Sequence, residues 1–157
     1  MTDKLYTQTE ALEIVGVRTL TFQNWIKRGI FRASEKTDGG QRRYTAEDVI
    51  RLAVINSLAL HGVELENAAA VSGRVVAASN WGACIRSLKS SAPKNLWVFV
   101  TRPLSGFLEH FSASAYAGQN FNQVRALLAQ REDARLAIYD VGPDVWRALQ
   151  GVRKSEN

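Results

Sequence analysis

Gln23, Asn24, Lys27 and Arg28 fall within one short stretch, and each could hold a polyanion in a different way. Asn and Gln carboxamides donate and accept at once, so each can bond two edge atoms of an adenine in a duplex major groove. Lys and Arg only donate; they neutralise phosphates or bind guanine. Phe22, Trp25 and Ile26 are interleaved with these polar residues and look like core. At about 100° per residue along a helix the two sets separate. Phe22, Trp25 and Ile26 take one side and Leu20, Gln23, Asn24 and Lys27 the other, with Thr21 and Arg28 flanking them. An outward leucine is odd on a solvated helix but suits a thymine methyl. Taken alone, the stretch could also be an ordinary amphipathic surface helix, so its neighbours must decide.

The charge around it is concentrated. Residues 18 to 43 carry Arg18, Lys27, Arg28, Arg32, Lys36, Arg42 and Arg43 against Glu35 and Asp38, a local net of +5, while the flanking segments 1–17 and 44–75 are each at −2. A basic segment between acidic ones reads as a directed patch for an anionic partner. The whole chain, 157 residues at net +5 with 46% hydrophobic and 22% charged residues, has the composition of a globular protein of one or two small domains. Its polar, partly acidic start is not that of a signal peptide, and no apolar run approaches the ~20 residues of a membrane span. Cys84 is the single cysteine, which excludes an intrachain disulfide and a cysteine-built zinc site. The expected address is cytoplasmic.

The elements that must position the polar stripe can be read on either side of it. Thr7-x-x-Glu10 has capping-box spacing, and Ala11, Leu12 and Val15 follow at helical intervals until Gly16. A second helix is expected over Thr19–Arg28, closed by Gly29. Two short helices joined by a tight turn are the ingredients of a helix-turn-helix. Asp38-Gly39-Gly40 then signals a β-hairpin whose return arm bears Arg42, Arg43 and Tyr44. A basic hairpin in that place is a wing, set to grip the sugar–phosphate backbone, and it argues against the plain surface helix. Thr45 caps a third, strongly apolar helix that ends at Gly62, and a fourth begins with Val63 and Leu65.

These residues resemble the DNA-binding domain of the MerR family of transcriptional regulators and its excisionase-like relatives. The resemblance is carried by Gly16-Val17, then Thr21, Phe22 and Trp25, then Gly29-Ile30. It continues through Gly40, Arg42, Arg43, Tyr44 and Asp48, and ends with Gly62, Val63, Leu65 and Glu66. It covers roughly residues 5 to 70. Where the family commonly has an Arg and two aromatics in its recognition helix, this chain has Gln23, Asn24 and Trp25, closer to the excisionase-like branch. The resemblance implies duplex DNA as partner. The residues expected to touch it are Arg18, Thr19, Leu20, Thr21, Gln23, Asn24, Lys27 and Arg28 from the helix and its approach, and Lys36, Arg42, Arg43 and Tyr44 from the wing.

The second half reads differently. Ala78, Trp81, Ile85 and Leu88 mark a possible connecting helix, too short for the long dimer helix of MerR regulators. "LWVFV" and "ARLAIYDVG" read as strands; Leu104–Phe111, Phe121–Leu128 and the segment from Pro143 read as helices, and "SASAYAGQ" as a loop. That is a small β-α-α-β-α unit. Chemistry is sparse in it. His61 and His110 are isolated, Asp140 ends a strand without a partner, and Trp97, Tyr116, Tyr139 and Trp146 suit a core or the lining of a pocket. No catalytic, metal or cofactor site is expected, and no enzymatic activity.

The resulting fold class is α+β: a winged helix-turn-helix over residues 1–75, a connecting helix over 76–92, a small α/β dimerisation or ligand- or partner-binding domain over 93–152, and a frayed tail over 153–157. The expected function is sequence-specific binding of double-stranded DNA for transcriptional regulation, on the nucleoid, as a homodimer joined through the C-terminal half. An excisionase-like architectural factor and a protein-binding adaptor that has lost DNA contact are the alternatives. Whether RNA polymerase or a small-molecule effector takes part is left open by the residues.

Overall fold

The computed structural model describes residues 4–33, 35–36, 41–78, 96–103, 112–117 and 134–155. It opens with α1 (Gln8–Val15) and α2 (Thr19–Lys27). The Thr7 hydroxyl accepts the Glu10 amide at 3.2 Å and the Glu10 carboxylate accepts the Thr7 amide at 2.7 Å, so two otherwise unpaired donors at the start of α1 are satisfied reciprocally. The Thr7 amide, its hydroxyl, and the charges of Lys4 and Arg43 hold the Glu10 carboxyl below its ordinary range. The turn into α2 depends on Gly16, whose φ of 76° lies in the left-handed region, and its amide closes α1 on Leu12 O at 2.8 Å.

After α2 come two short antiparallel strands, β1 (Glu35–Lys36) and β2 (Arg42–Arg43), in the register Glu35↔Arg43 and Lys36↔Arg42. The turn expected at Asp38-Gly39-Gly40 lies outside the described residues. Immediately after β2, Tyr44 forms an antiparallel bridge with Tyr6, its amide giving to Tyr6 O at 3.0 Å and its carbonyl accepting from Tyr6 N at 2.8 Å. The chain start and the end of the hairpin are thereby tied together.

The centre of the molecule is α3 (Ala46–Leu60), capped by a second box in which Thr45 and Asp48 exchange two bonds of 3.1 Å. Val49, Ile50, Leu52, Ala53, Val54, Ile55 and Leu58 are all buried, because neighbours press on most of its circumference: α1, α4 (Leu65–Ala78) and the last helix, α5 (Gly142–Lys154). The continuation of the connecting helix beyond residue 78, and the helices expected at 104–111 and 121–128, lie outside the described residues.

A three-stranded antiparallel sheet of order β4-β3-β5 is formed by β3 (Leu96–Pro103), β4 (Ser112–Ala117) and β5 (Ala134–Asp140). The sequence reading expected a loop at "SASAYAGQ"; six of those residues instead form β4, paired from Leu96↔Ala117 to Thr101↔Ser112. Small Ser and Ala residues carry little intrinsic strand preference, and pairing against β3 supplies what propensity does not. The apolar strand "LWVFV" is accordingly the central one.

From β5 the chain passes through buried Val141 directly into α5, and the Asp140 carboxylate accepts the Gly142 amide at 2.9 Å. That bond gives the isolated carboxylate a structural task at the helix start. Helix α5 lies on α1 and α3, burying Val145, Ala148, Leu149 and Val152 in the core that α1 to α4 build. Ser57, fully buried in α3, donates to Asp144 at 2.6 Å. At the other end of α5, the Lys4 ammonium donates to Ser155 O, and the Tyr6 hydroxyl lies 3.5 Å from Val152 O.

The α1–α5 contact is close enough to test by one methyl group. A Cβ on Gly151 would stand 2.7 Å from Cγ2 of Ile14, a β-branched side chain with little freedom to yield. Alanine is preferred to glycine within a helix by roughly 0.5–1 kcal/mol, but overpacking costs about 1–3 kcal/mol. Gly151→Ala is therefore expected to lower the melting temperature. A rise, as helix propensity alone would give, would show that α5 does not rest on α1.

Candidate nucleic-acid interface

Helix α2 is held by what it buries. Phe22 is inaccessible and Trp25 nearly so, while Ile26 packs part-buried on the same core. Phe22 lies in a ring cluster with Phe31 (centroids 5.9 Å apart) and Tyr44 (5.9 Å, edge-on), and Phe31 and Tyr44 stack at 6.3 Å. Offset and edge-on pairs of this kind suit the charge distribution of aromatic rings. Arg51 of α3 lies over the outer ring, its guanidinium 5.4 Å from the Phe31 centroid. Three chain segments thus meet at one point: α2 through Phe22, the segment leading away from it through Phe31, and the residue after β2 through Tyr44.

The opposite side of α2 is bare. Thr19, Leu20, Thr21, Gln23, Asn24, Lys27 and Arg28 are all exposed, and Leu20 reaches 75%. The expected partition of the stripe is therefore realised residue by residue. Arg18, exposed at the N-cap of α2, makes no side-chain cap. With Thr19 it borders an open groove of about 330 Å³ along the helix-turn-helix turn, lined also by Thr9, Leu12, Glu13, Gly16 and Val17.

On the hairpin the expected contacts divide. Arg42 is exposed, whereas Arg43 is half-buried and its charge acts on the Glu10 carboxylate. Consecutive strand residues point to opposite faces, so the two arginines cannot serve one surface equally. Lys36 sits opposite Arg42 in the ladder. Tyr44, expected at the interface from its place in the wing motif, is a correction: it is 0% exposed, and burial pushes its hydroxyl's pKa up. The ring clusters with Phe22 and Phe31 on the inner side of the chain. Among the described residues its hydroxyl has no hydrogen-bond partner.

Arg28 does not stand free. Its guanidinium pairs with the carboxylate of Glu66 in the first turn of α4, 38 positions away. Sequence reasoning noted Glu66 as part of a motif and missed this pairing; no local spacing connects the two residues. Of the isolated residues, His61 ends α3, with Nδ1 2.7 Å from Ser57 O, and Trp146 packs part-buried on the core. Trp97 is opposite Tyr116 on one side and Asp140 on the other. His110 and Cys84 lie outside the described residues. No helix among the described residues is long and apolar enough to cross a membrane.

The segment with this geometry matches a known family. Residues 6–72 fit the family model described as MerR HTH family regulatory protein. The match runs from the Tyr6 bridge to the middle of α4, and α5, which packs on α1 and α3, lies outside it. No curated protein matches the chain.

The burial of Tyr44 leads to a measurable contrast. A buried hydroxyl without a partner contributes nothing that a hydrogen would not, so Tyr44→Phe should change the unfolding free energy by less than about 1 kcal/mol, or raise it. Tyr44→Ala should cost about 3–5 kcal/mol, the usual loss for a truncated core aromatic. Urea unfolding of the two variants reads both. A Tyr44→Phe variant as damaged as the alanine one would mean that the hydroxyl, not the ring, matters.

Proposed function

We propose, from the match of residues 6–72 to the MerR HTH family of regulatory proteins, that the chain is a transcriptional regulator that reads duplex DNA with α2 in the major groove. The observation that carries the reading is the two-sidedness of α2: Phe22 and Trp25 are locked in the core while Leu20, Gln23, Asn24 and Lys27 all face solvent. Gln23 and Asn24 supply the bidentate chemistry for adenine, and Leu20 an apolar surface for a thymine methyl. Lys27 and Arg18 serve phosphates beside them. We read β1 and β2 as the base of a wing, with Arg42 on the sugar–phosphate backbone and Arg43 held closer to the protein. Tyr44 supports the wing from beneath.

The test begins with selection of bound sequences from a random duplex pool, which yields the cognate site. Gln23→Ala and Asn24→Ala should then keep the fold and lose about 1–3 kcal/mol of discrimination between cognate and scrambled duplex. Arg42→Ala should weaken both duplexes alike and flatten the dependence of log K on log salt by about one unit. Full discrimination in both amide variants would remove α2 from the role of reader.

The reading extends to assembly, since two-fold DNA sites call for two-fold proteins. Among the described residues the sheet ends at β4 and β5, and open strand edges invite pairing. The proposed homodimer joins through the C-terminal half at these edges. Sedimentation of the full chain at micromolar concentration should give twice the monomer mass; a monomer there excludes the arrangement.

A further inference from the structure

Glu66 is an acid placed inside a surface otherwise suited to a polyanion. Among the described residues Arg18, Lys27 and Arg42 form no ion pair, whereas Arg28, at the C-cap of α2, is engaged by Glu66. Both side chains are well exposed, at 55% and 62%, so the pair adds little to folding stability. Its significance must be sought in what it does to the charge available on the face of α2.

Two features make Glu66 an effective competitor for that cation. Its carboxylate is held first by its own backbone amide and then by Arg28, and together these keep the carboxyl below its ordinary range. It also stands in the first turn of α4, where the helix dipole favours a negative charge. An acid anchored in this way loses little freedom on pairing and remains ionised at neutral pH. Arg28, by contrast, is on the very segment whose neighbours face outward for contact. A duplex phosphate approaching α2 would have to displace Glu66 to gain Arg28.

We propose that Glu66 withholds Arg28 from DNA, lowering the sequence-independent affinity that every duplex shares while leaving the contacts of Gln23 and Asn24 in place. The inference rests on the DNA-reading role of α2 proposed above. Cost and benefit both follow from the physics of phosphate binding. Each additional phosphate contact strengthens cognate and random DNA together and steepens the salt dependence. Withdrawing one cation loses affinity everywhere and loses no base contact. Because Glu66 belongs to α4, a displacement of that helix would also release Arg28 and raise general DNA affinity.

The experiment uses the full chain and a mixed-sequence duplex of about two helical turns (~20 base pairs), with binding followed from low to moderate salt. Glu66→Gln removes the charge and keeps the shape at an exposed position. It should tighten binding several-fold at low salt and steepen the slope of log K against log salt by about 0.9. Arg28→Ala alone should leave the slope of the natural protein unchanged, and Arg28→Ala added to Glu66→Gln should abolish the gain. An unaltered slope in Glu66→Gln overturns the proposal, as does a flatter slope in Arg28→Ala alone, which would mean that Arg28 already leaves Glu66 for phosphate. Weaker binding by Glu66→Gln also overturns it, making Glu66 a strut that positions α2. Natural protein that binds no duplex in a salt-dependent way defeats the underlying DNA reading instead, and is recognised before any variant is compared.

Discussion

The cluster of Phe22, Phe31 and Tyr44 is the contact on which the rest of the N-terminal architecture depends. Each ring comes from a different piece of chain, and each is at or near zero exposure. Fixing Phe22 sets the rotation of α2 about its own axis, because a helix with one apolar stripe has one orientation in which that stripe is buried. The same burial turns Gln23 and Asn24 outward. Tyr44 sets the height of β2 relative to α2, and its backbone bridge to Tyr6 carries that constraint to the segment before α1. A core of rings thus determines the spacing between α2 and the β1–β2 pair.

Electrostatics is arranged on this frame by subtraction as much as by addition. Residues 18 to 43 carry seven cations, yet they are not equivalent once folded. Arg28 is held by Glu66, Arg43 is partly buried and acts on Glu10, and Arg42 stays in solvent. At the edge of the core, part-buried Arg51 lies over the Phe31 ring and 3.9 Å from buried Asp48, so it serves packing. The positive charge left to solvent is therefore less than the charge count.

Helix α5 joins the two halves of the molecule. It leaves β5 through a single residue, Val141, and spends its apolar face on α1 and α3. The Ser57–Asp144 bond and the approach of Gly151 to Ile14 fix both its depth and its register there. Since α1 and α3 also support α2, the end of the sheet is connected to the helix-turn-helix through packed side chains. Close-packed interiors transmit displacement instead of absorbing it.

The helices of the first half were legible because local chemistry dictates them. Thr7/Glu10 and Thr45/Asp48 mark helix starts, Gly16 and Gly29 mark their ends, and the apolar spacing of Phe22, Trp25 and Ile26 marks the inward side of α2. Signals of that kind lie within a few residues, and backbone hydrogen bonding enforces them almost regardless of context. The polar stripe at Gln23 and Asn24 followed from the same periodicity. What the sequence could not settle depends on partners far away along the chain. Whether "SASAYA" forms a strand depends on the neighbour that pairs with it, and whether Tyr44 faces outward or into the core depends on where Phe22 and Phe31 arrive. The pairing of Arg28 with Glu66, 38 residues apart, and the docking of α5 on α1 are of the same sort. Propensity and capping act through neighbouring residues and can be read in order; burial and ion pairing act through space, and only the tertiary structure decides them.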